Sequence, residues 1–345
     1  MSVTFAVVGG GVVGCATAMT LARRGRDVTL FEAESEVGLG ASGTNSGILH
    51  TGFDSKLGEL ETALILRAVP LREQAIDGLG IPVIRCGARM RGAPAEVEEN
   101  ARMLAVPVER DGDDLIVPGE SVTDPIAMTG AFCAEAERNG AAIRVGKRVS
   151  GDLPEYDVVV NCAGLFGDEV AREFGDDSFA IRARKGEFVV FQDPGISEIL
   201  LPVPTPRTKG IIVFPTVTGH ICCGPTAEDI NDKSDWTVRS DARQSLIEKA
   251  SALIPGLVPE PVFAYAGLRP AGRDGENYVI GWSSASKRLL NVAAIRSTGL
   301  SAALGIADYV CSDLLGIDAR PADFKRVQVT GGPWWLRAAR HRQLA

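Results

Sequence analysis

The sequence predicts an α/β fold in which a parallel sheet flanked by helices is interleaved with a second, mostly antiparallel α+β unit. Three observations carry that expectation. The chain opens on an apolar run, a glycine cluster and a helical stretch in direct succession. Two later apolar runs, at 157–162 and 289–293, each break into small residues. Between residues 187 and 265 several short β-rich runs are separated by turn residues.

Composition bounds the reading. At 345 residues the chain suits one large domain or two interleaved ones, and 45% hydrophobic with 23% charged residues is globular. A formal net charge of -8 without a Lys/Arg cluster argues against nucleic acid, which needs a basic face. It does not exclude an anionic substrate, because a few arginines inside a cleft override the global sign. The seven cysteines, Cys15, Cys86, Cys133, Cys162, Cys222, Cys223 and Cys311, include no Cys-x-x-Cys pair and sit mostly in apolar runs. They read as reduced core thiols, with no thiolate-held cluster and no metal site expected. No basic-then-apolar leader and no uncharged run of transmembrane length occur, so a cytoplasmic protein is expected.

Thr4 to Val8 reads as a buried parallel strand, and Gly9-Gly10-Gly11-Val12-Val13-Gly14 follows at once. Gly9 permits a tight turn, Gly11 lets backbone approach a pyrophosphate, and Gly14 lets helix pack on strand. The helix expected from Cys15 to Arg24 offers its N-terminal N–H groups, those of Val12 and Val13 included, to the phosphates. Asp27 to Phe31 is the second strand, and Glu32 at its end is placed to accept from a ribose hydroxyl. An acidic group there disfavours a 2′-phosphate and hence NADP, while the unit alone leaves NAD and FAD open.

Later segments choose between them. Residues 41–53 form a hydroxyl-rich loop of small residues that can lie against a planar ligand, with Ser42, Thr44, Asn45 and Ser46 as contacts. The 157–164 strand ends at Ala163-Gly164, and the 289–293 strand leads to Gly299-Leu300-Ser301 at a helix start. The first of these resembles the second dinucleotide contact of the glutathione-reductase-like FAD fold. The second aims a helix N-terminus at an electron-rich group. An NAD-only dehydrogenase has no need of these returning pieces.

The chain resembles the D-amino-acid-oxidase-type FAD superfamily, in the branch of L-2-hydroxyglutarate oxidases and glycerol-3-phosphate-dehydrogenase-like proteins. The motifs that carry the likeness are Asn45 to Gly52, Arg184 to Phe188, Phe214-Pro215-Thr216, Gly224 to Asp229 and Ala266 to Pro270. The resemblance implies FAD as cofactor, with Val149 among its contacts. It implies oxidation of a small acidic 2-hydroxy compound, L-2-hydroxyglutarate first, with glycerol 3-phosphate or a secondary amino acid as alternatives. A flavin-binding module without turnover is the reading from a different class, and an NAD-linked dehydrogenase is a third. The acceptor that reoxidises the flavin is left open among oxygen, a quinone and an electron-transfer protein. FAD-binding pieces are expected at 1–80, 122–180 and 268–320, and substrate-domain pieces at 81–121 and 181–267. Two departures from the family pattern, a short connection at 150–156 and a compressed 91–119 segment, bear on the cleft and on the acceptor's route.

Oxidising an alcohol on a flavin delivers hydride to N5 and removes a hydroxyl proton, so a base is needed. Of the three histidines, His341 lies in the tail and His220 opens the expected strand His220 to Gly224 just after a hairpin turn at Thr218-Gly219, which leaves His50 as base, flavin contact or loop support. Arg269 is the expected substrate anchor, since a guanidinium grips a carboxylate or phosphate through two parallel bonds. Lys185 is a second cation candidate, and Arg273 and Lys209 are lesser ones that also read as solvated surface. The 321–345 tail carries Trp334-Trp335 beside three arginines. It reads first as docking on the chain's own surface or on a second subunit, and second as a peripheral membrane anchor.

Overall fold

A computed structural model describes residues 3–203, 210–319, 323–328 and 332–342. Lys209 and Gly331 lie outside the described residues, as do 343–345 at the end of the tail.

The first sheet has six strands in the order Val279–Trp282, Leu289–Ala293, Val158–Asn161, Thr4–Val8, Asp27–Phe31 and Ala142–Arg144. All neighbours run parallel except the Val279–Trp282 edge. The inner strands are apolar throughout because both faces are covered. On one face Val7, Val160, Leu290 and Leu30 pack under the helices Val12–Arg23, Leu60–Leu79, Pro125–Arg138 and Gly299–Tyr309. On the other, Ala6, Val8, Val159 and Leu289 pack with the helix Gly167–Glu173. The helix at 125 is capped by its own sequence: Asp124 Oδ1 accepts from the Ile126 and Ala127 N–H groups at 2.9 Å each, with Pro125 in the first turn. One expectation needs correction: the first helix starts at Val12 rather than Cys15.

The second sheet has nine strands and is built around the long strand Ile181–Gln192. Phe263–Gly272 pairs along one of its edges; Glu228–Ile230 and His220–Gly224 share the other. The sheet continues through Ile212–Pro215, Ile199–Leu201, Ala88–Met90, Asp114–Val117 and Glu109–Asp111. It is antiparallel but for the Ile199–Leu201 and Ala88–Met90 pair. A third ribbon, Ile48–Leu49, Ser121–Thr123 and Val83–Ile84, joins the two larger sheets and delivers His50 at the end of its first strand. Within 91–119 the chain forms the helix Ala95–Met103 and one hairpin, and 150–156 is an irregular connection.

All seven cysteines are free thiols, and six are buried. Cys222 and Cys223 point to opposite faces of their strand, toward Tyr265 and Leu246 respectively, and burial pushes both thiols up, Cys223 to about 12. Among the described residues no helix is long and apolar enough to cross a membrane, and no metal-binding cluster of His, Cys, Asp and Glu occurs.

The tail folds back as the helix Trp334–Arg342. Trp334 and Trp335 are 0% and 1% exposed and complete a core with Phe188, Phe214, Tyr265 and Ile126. The Trp334 indole N–H donates to the Asn45 carbonyl at 3.2 Å, and the Trp335 ring meets His220 edge-on. Rings with no exposed surface cannot lie at a headgroup layer, so the pair follows the first expectation, docking on the chain's own body, and not the second. Trp334→Ala should therefore lower unfolding stability by about 3–5 kcal/mol, as loss of a buried large aromatic does. The check is the denaturant midpoint at unchanged slope; a midpoint within error of native would contradict this packing.

Candidate active site

The glycine turn is shaped by backbone meeting backbone. Gly9 holds φ +108°, and a Cβ on it would collide with the Cys162 carbonyl of the neighbouring strand. A Cβ on Gly14 would collide with the Gly9 carbonyl. Gly11 differs: the nearest atom to its would-be Cβ is the Ser42 hydroxyl, at 3.2 Å. No backbone crowds Gly11 as it does Gly9 and Gly14, and Gly11 lines the cleft, so its missing side chain leaves room for a ligand. The Val12 N–H donates to Ser42 Oγ at 2.9 Å. Among the described residues the Val13 and Gly14 N–H groups have no hydrogen-bond partner, which leaves the positive end of this helix free for an anion.

Glu32 closes the adjoining end of the cleft. Its carboxylate accepts from the Gly10 N–H at 2.6 Å and the Glu34 N–H at 2.8 Å. Burial raises its carboxyl above the usual range, and these bonds offset only part of that. A cavity of about 400 Å³ runs from Glu32 and Val149 past Gly9, Gly11, Val12, Val13 and Ser42 to Asn45, Gly299 and Leu300, with Ala163 and Gly164 along its wall. Four expected contacts lie off this wall. Gly14 sits beneath the turn, Thr44 lines a neighbouring cavity of about 240 Å³, Ser46 bonds to Asn45 and Ile48, and Ser301 bonds to Ile48 and His50.

At the far end a second helix N-terminus opens onto the cleft. The N–H groups of Gly299, Leu300 and Ser301 have no partner among the described residues, although Leu300 and Ser301 are buried. The loop before it carries strain: Ala294 and Arg296 both hold φ +54°, and the adjoining Tyr278 holds φ +53°. Glu61 pins this loop, accepting from Thr298 Oγ1 at 2.6 Å, Asn277 Nδ2 at 2.6 Å and Arg296 at 2.7 Å. Burial pushes the Glu61 carboxyl up, but the three bonds outweigh it and hold it below the usual range. The sequence reading missed Glu61, a charged residue near the start of an unrecognised helix.

His50 follows the Ile48–Leu49 strand and is half-buried. Its N–H donates to Ser301 Oγ at 2.8 Å, and its ring Nδ1 lies 3.0 Å from Glu120 Oε2. Glu120 is fully buried and also accepts from the Thr51 N–H at 2.6 Å and the Thr51 hydroxyl at 2.8 Å. Arg72, 1% exposed, donates to the carbonyls of His50 and Ser301. Neither Glu120 nor Arg72 was expected from sequence.

Arg269 and Lys185 occupy opposite faces of the second sheet. Arg269 stands directly across from Arg184 and lies over Gly186, where a Cβ would strike its guanidinium. On the same face a Cβ at Gly267 would approach the Thr44 carbonyl to 2.6 Å, so this face looks toward the 41–47 loop; of this stretch only Pro270, on the opposite face, lines the cleft itself. Arg184 holds Asp229 in a two-point grip at 2.7 and 3.1 Å. Arg269 has no carboxylate partner among the described residues and donates to the Thr226 carbonyl at 3.0 Å. Burial, then the nearby Arg184, pushes its guanidinium down to about 10 against the pull of Asp229, so it stays cationic at neutral pH. Lys185 is 1% exposed and bonded to Asp235 at 2.8 Å, an ion pair that leaves its ammonium engaged. Arg273 is exposed.

Two open helix N-termini on one elongated cleft, with an acid at the end of the second strand, define a dinucleotide-binding flavoprotein, and the residues present fit FAD. Residues 4–312 match the family described as FAD dependent oxidoreductase (DAO), and the chain belongs to that family. It is 27% identical to a glycerol 3-phosphate dehydrogenase of Caloramator mitchellensis, over 90% of this chain and 74% of that one. A mitochondrial L-2-hydroxyglutarate dehydrogenase of Caenorhabditis elegans is 26% identical over 71% of this chain and 68% of that one. In fold the chain is similar to the FAD-bound L-alpha-glycerophosphate oxidase of Mycoplasma pneumoniae, with a TM-score of 0.84, 21% identity and coverage of 96% and 100%.

The two glycines separate cofactor binding from folding. Gly11→Val should fold but lose the bound flavin, because the valine meets only the Ser42 hydroxyl of the chain and projects into the cleft. Gly14→Ala should instead lower stability, because its methyl meets backbone. Flavin absorbance per chain and thermal unfolding, measured side by side, distinguish the two; a yellow Gly11→Val protein would refute the assignment.

Proposed function

We propose that the protein oxidises the secondary alcohol of a small phosphate ester, with glycerol 3-phosphate as the leading substrate and L-2-hydroxyglutarate second. This reverses the order expected from sequence. The observation that carries it is a charge count on the Arg269 face of the second sheet: three guanidiniums, Arg182, Arg184 and Arg269, share a single carboxylate, Asp229. The uncompensated positive charge suits a doubly charged phosphate better than a single carboxylate. The greater coverage of glycerol 3-phosphate relatives supports the same order.

In this reading substrate binds between the pieces at 1–80, 122–180 and 268–320 and those at 81–121 and 181–267. Arg269 orients the phosphate, and Lys185 supports the sheet from behind through Asp235. His50 accepts the hydroxyl proton on Nε2, which makes no hydrogen bond among the described residues. FAD, held by Gly9 to Val13, Glu32, Ser42, Ala163, Gly164 and the 299–301 helix start, supplies the two-electron acceptor. The buried Leu300 and the 41–47 loop keep water from the reacting carbon.

Anaerobic mixing tests the substrate. Glycerol 3-phosphate should bleach the flavin at lower concentration than L-2-hydroxyglutarate, and bleaching by L-2-hydroxyglutarate alone would overturn the proposal. Arg269→Ala should cut kcat/KM by about 2–4 kcal/mol, roughly thirtyfold to a thousandfold. Arg269→Lys should recover only part of this, since the planar fork is lost. His50→Asn should slow flavin reduction by about 10²-fold or more with flavin content intact, in line with the usual contribution of a general base; a loss under tenfold would leave His50 a structural residue.

A further inference from the structure

Glu120 is a fully buried carboxylate whose only ion-pair partner among the described residues is a half-buried histidine. Burying a carboxylate is costly unless its lone pairs are met, and here they are met in an ordered way. Oε1 takes the Thr51 N–H and hydroxyl, and Oε2 takes His50 Nδ1. A carboxylate can only accept, so the Oε2 contact places a proton on Nδ1 and leaves Nε2 as the acceptor nitrogen. The ring's backbone is fixed on both sides, by Ser301 Oγ at the N–H and by Arg72 at the carbonyl. Arg72 is the other charged group facing this pair; it feels the field of Glu120 but makes no bond to it.

We propose that Glu120 is a positioning residue: it sets the tautomer and orientation of His50 and stabilises the imidazolium formed when His50 takes the substrate's hydroxyl proton. The inference rests on His50 being the base. When Nε2 gains that proton, Nδ1 keeps its own, and the new positive charge lies beside a carboxylate that gives up no proton. The three-part arrangement of reacting group, base and orienting acid is the general form of an activated proton acceptor. The sequence hides it because 70 residues separate the two side chains. They meet only where the Ile48–Leu49 and Ser121–Thr123 strands pair.

The test uses the holoenzyme labelled with 15N-histidine, in which three histidines give a readable spectrum and His50→Asn assigns one of them. Native His50 should show a protonated Nδ1 and an acceptor-type Nε2, and Glu120→Ala should lose that preference. Anaerobic flavin reduction by glycerol 3-phosphate should slow by about 10–100-fold in Glu120→Ala, with half-saturation by substrate within about threefold of native. Glu120→Gln retains a carbonyl acceptor and should fall between the two. Thr51→Val removes the other side-chain bond to Glu120 and should stay within about threefold of native. Equal slowing in Thr51→Val and Glu120→Ala would overturn the inference by making Glu120 a loop support. A slow His50→Asn beside a fast Glu120→Ala overturns it alone. A fast His50→Asn removes the base assignment, and this inference falls with it.

Discussion

The structure depends on one close approach of backbone to backbone, where the Gly9 turn passes over the Cys162 carbonyl and the helix at Val12 leans on the Gly9 carbonyl through Gly14. No side chain fits in either gap. The approach locks the first strand to Val158–Asn161 in a register that sets Val8 beside Asn161, and so brings Ala163 and Gly164 opposite Gly11 across one cleft. The second helix terminus follows from the same register. Asn161 Nδ2 donates to Asn291 Oδ1 at 2.9 Å, which fixes the strand that leads to Gly299. A cofactor cleft assembled from distant segments thus rests on contacts between main chains, which amino-acid changes at the surface leave untouched.

The parts of this arrangement that local chemistry dictates were legible in the sequence. Thr4 to Val8, Asp27 to Phe31, His220 to Gly224 and Leu289 to Ala293 are apolar runs bounded by glycine or polar residues, and each became the expected strand. The helix Leu60–Leu79 escaped notice because Pro70 stands inside it, although Leu64, Ala68, Arg72, Ala75, Ile76 and Leu79 lie at helical spacing on its buried side. Arg72 was therefore missed with it. Glu120 carries no local signal at all, since it follows Pro118-Gly119 in what reads as an ordinary turn. The long reach of Ile181–Gln192 and Phe263–Gly272 was also underestimated: each extends beyond its apolar part through residues that gain strand geometry only by pairing with one another.

Neighbouring cations on one strand have opposite fates for a reason of geometry. Side chains alternate across a sheet, so Arg184 and Lys185 must face different surroundings. The Lys185 side meets the 235–237 turn and finds Asp235 and Thr237. The Arg184 side carries Arg182 and meets Arg269, and one aspartate cannot neutralise all three. Charge left uncompensated inside a protein raises its energy, and a site that tolerates this in the free state gains most when an anion arrives.

The sheet register also has a kinetic meaning. The cleft exists only when Val8 has found Asn161 and Asn161 has found Asn291, pairings between residues far apart in the chain. Contacts of that separation form slowly, because a long stretch of chain must be ordered before they give any stabilisation. FAD can therefore recognise only molecules that have completed the central sheet, and by mass action it draws late folding intermediates toward the native state. In a cell, riboflavin supply would then govern how much of this protein survives to maturity as well as how much of it is active.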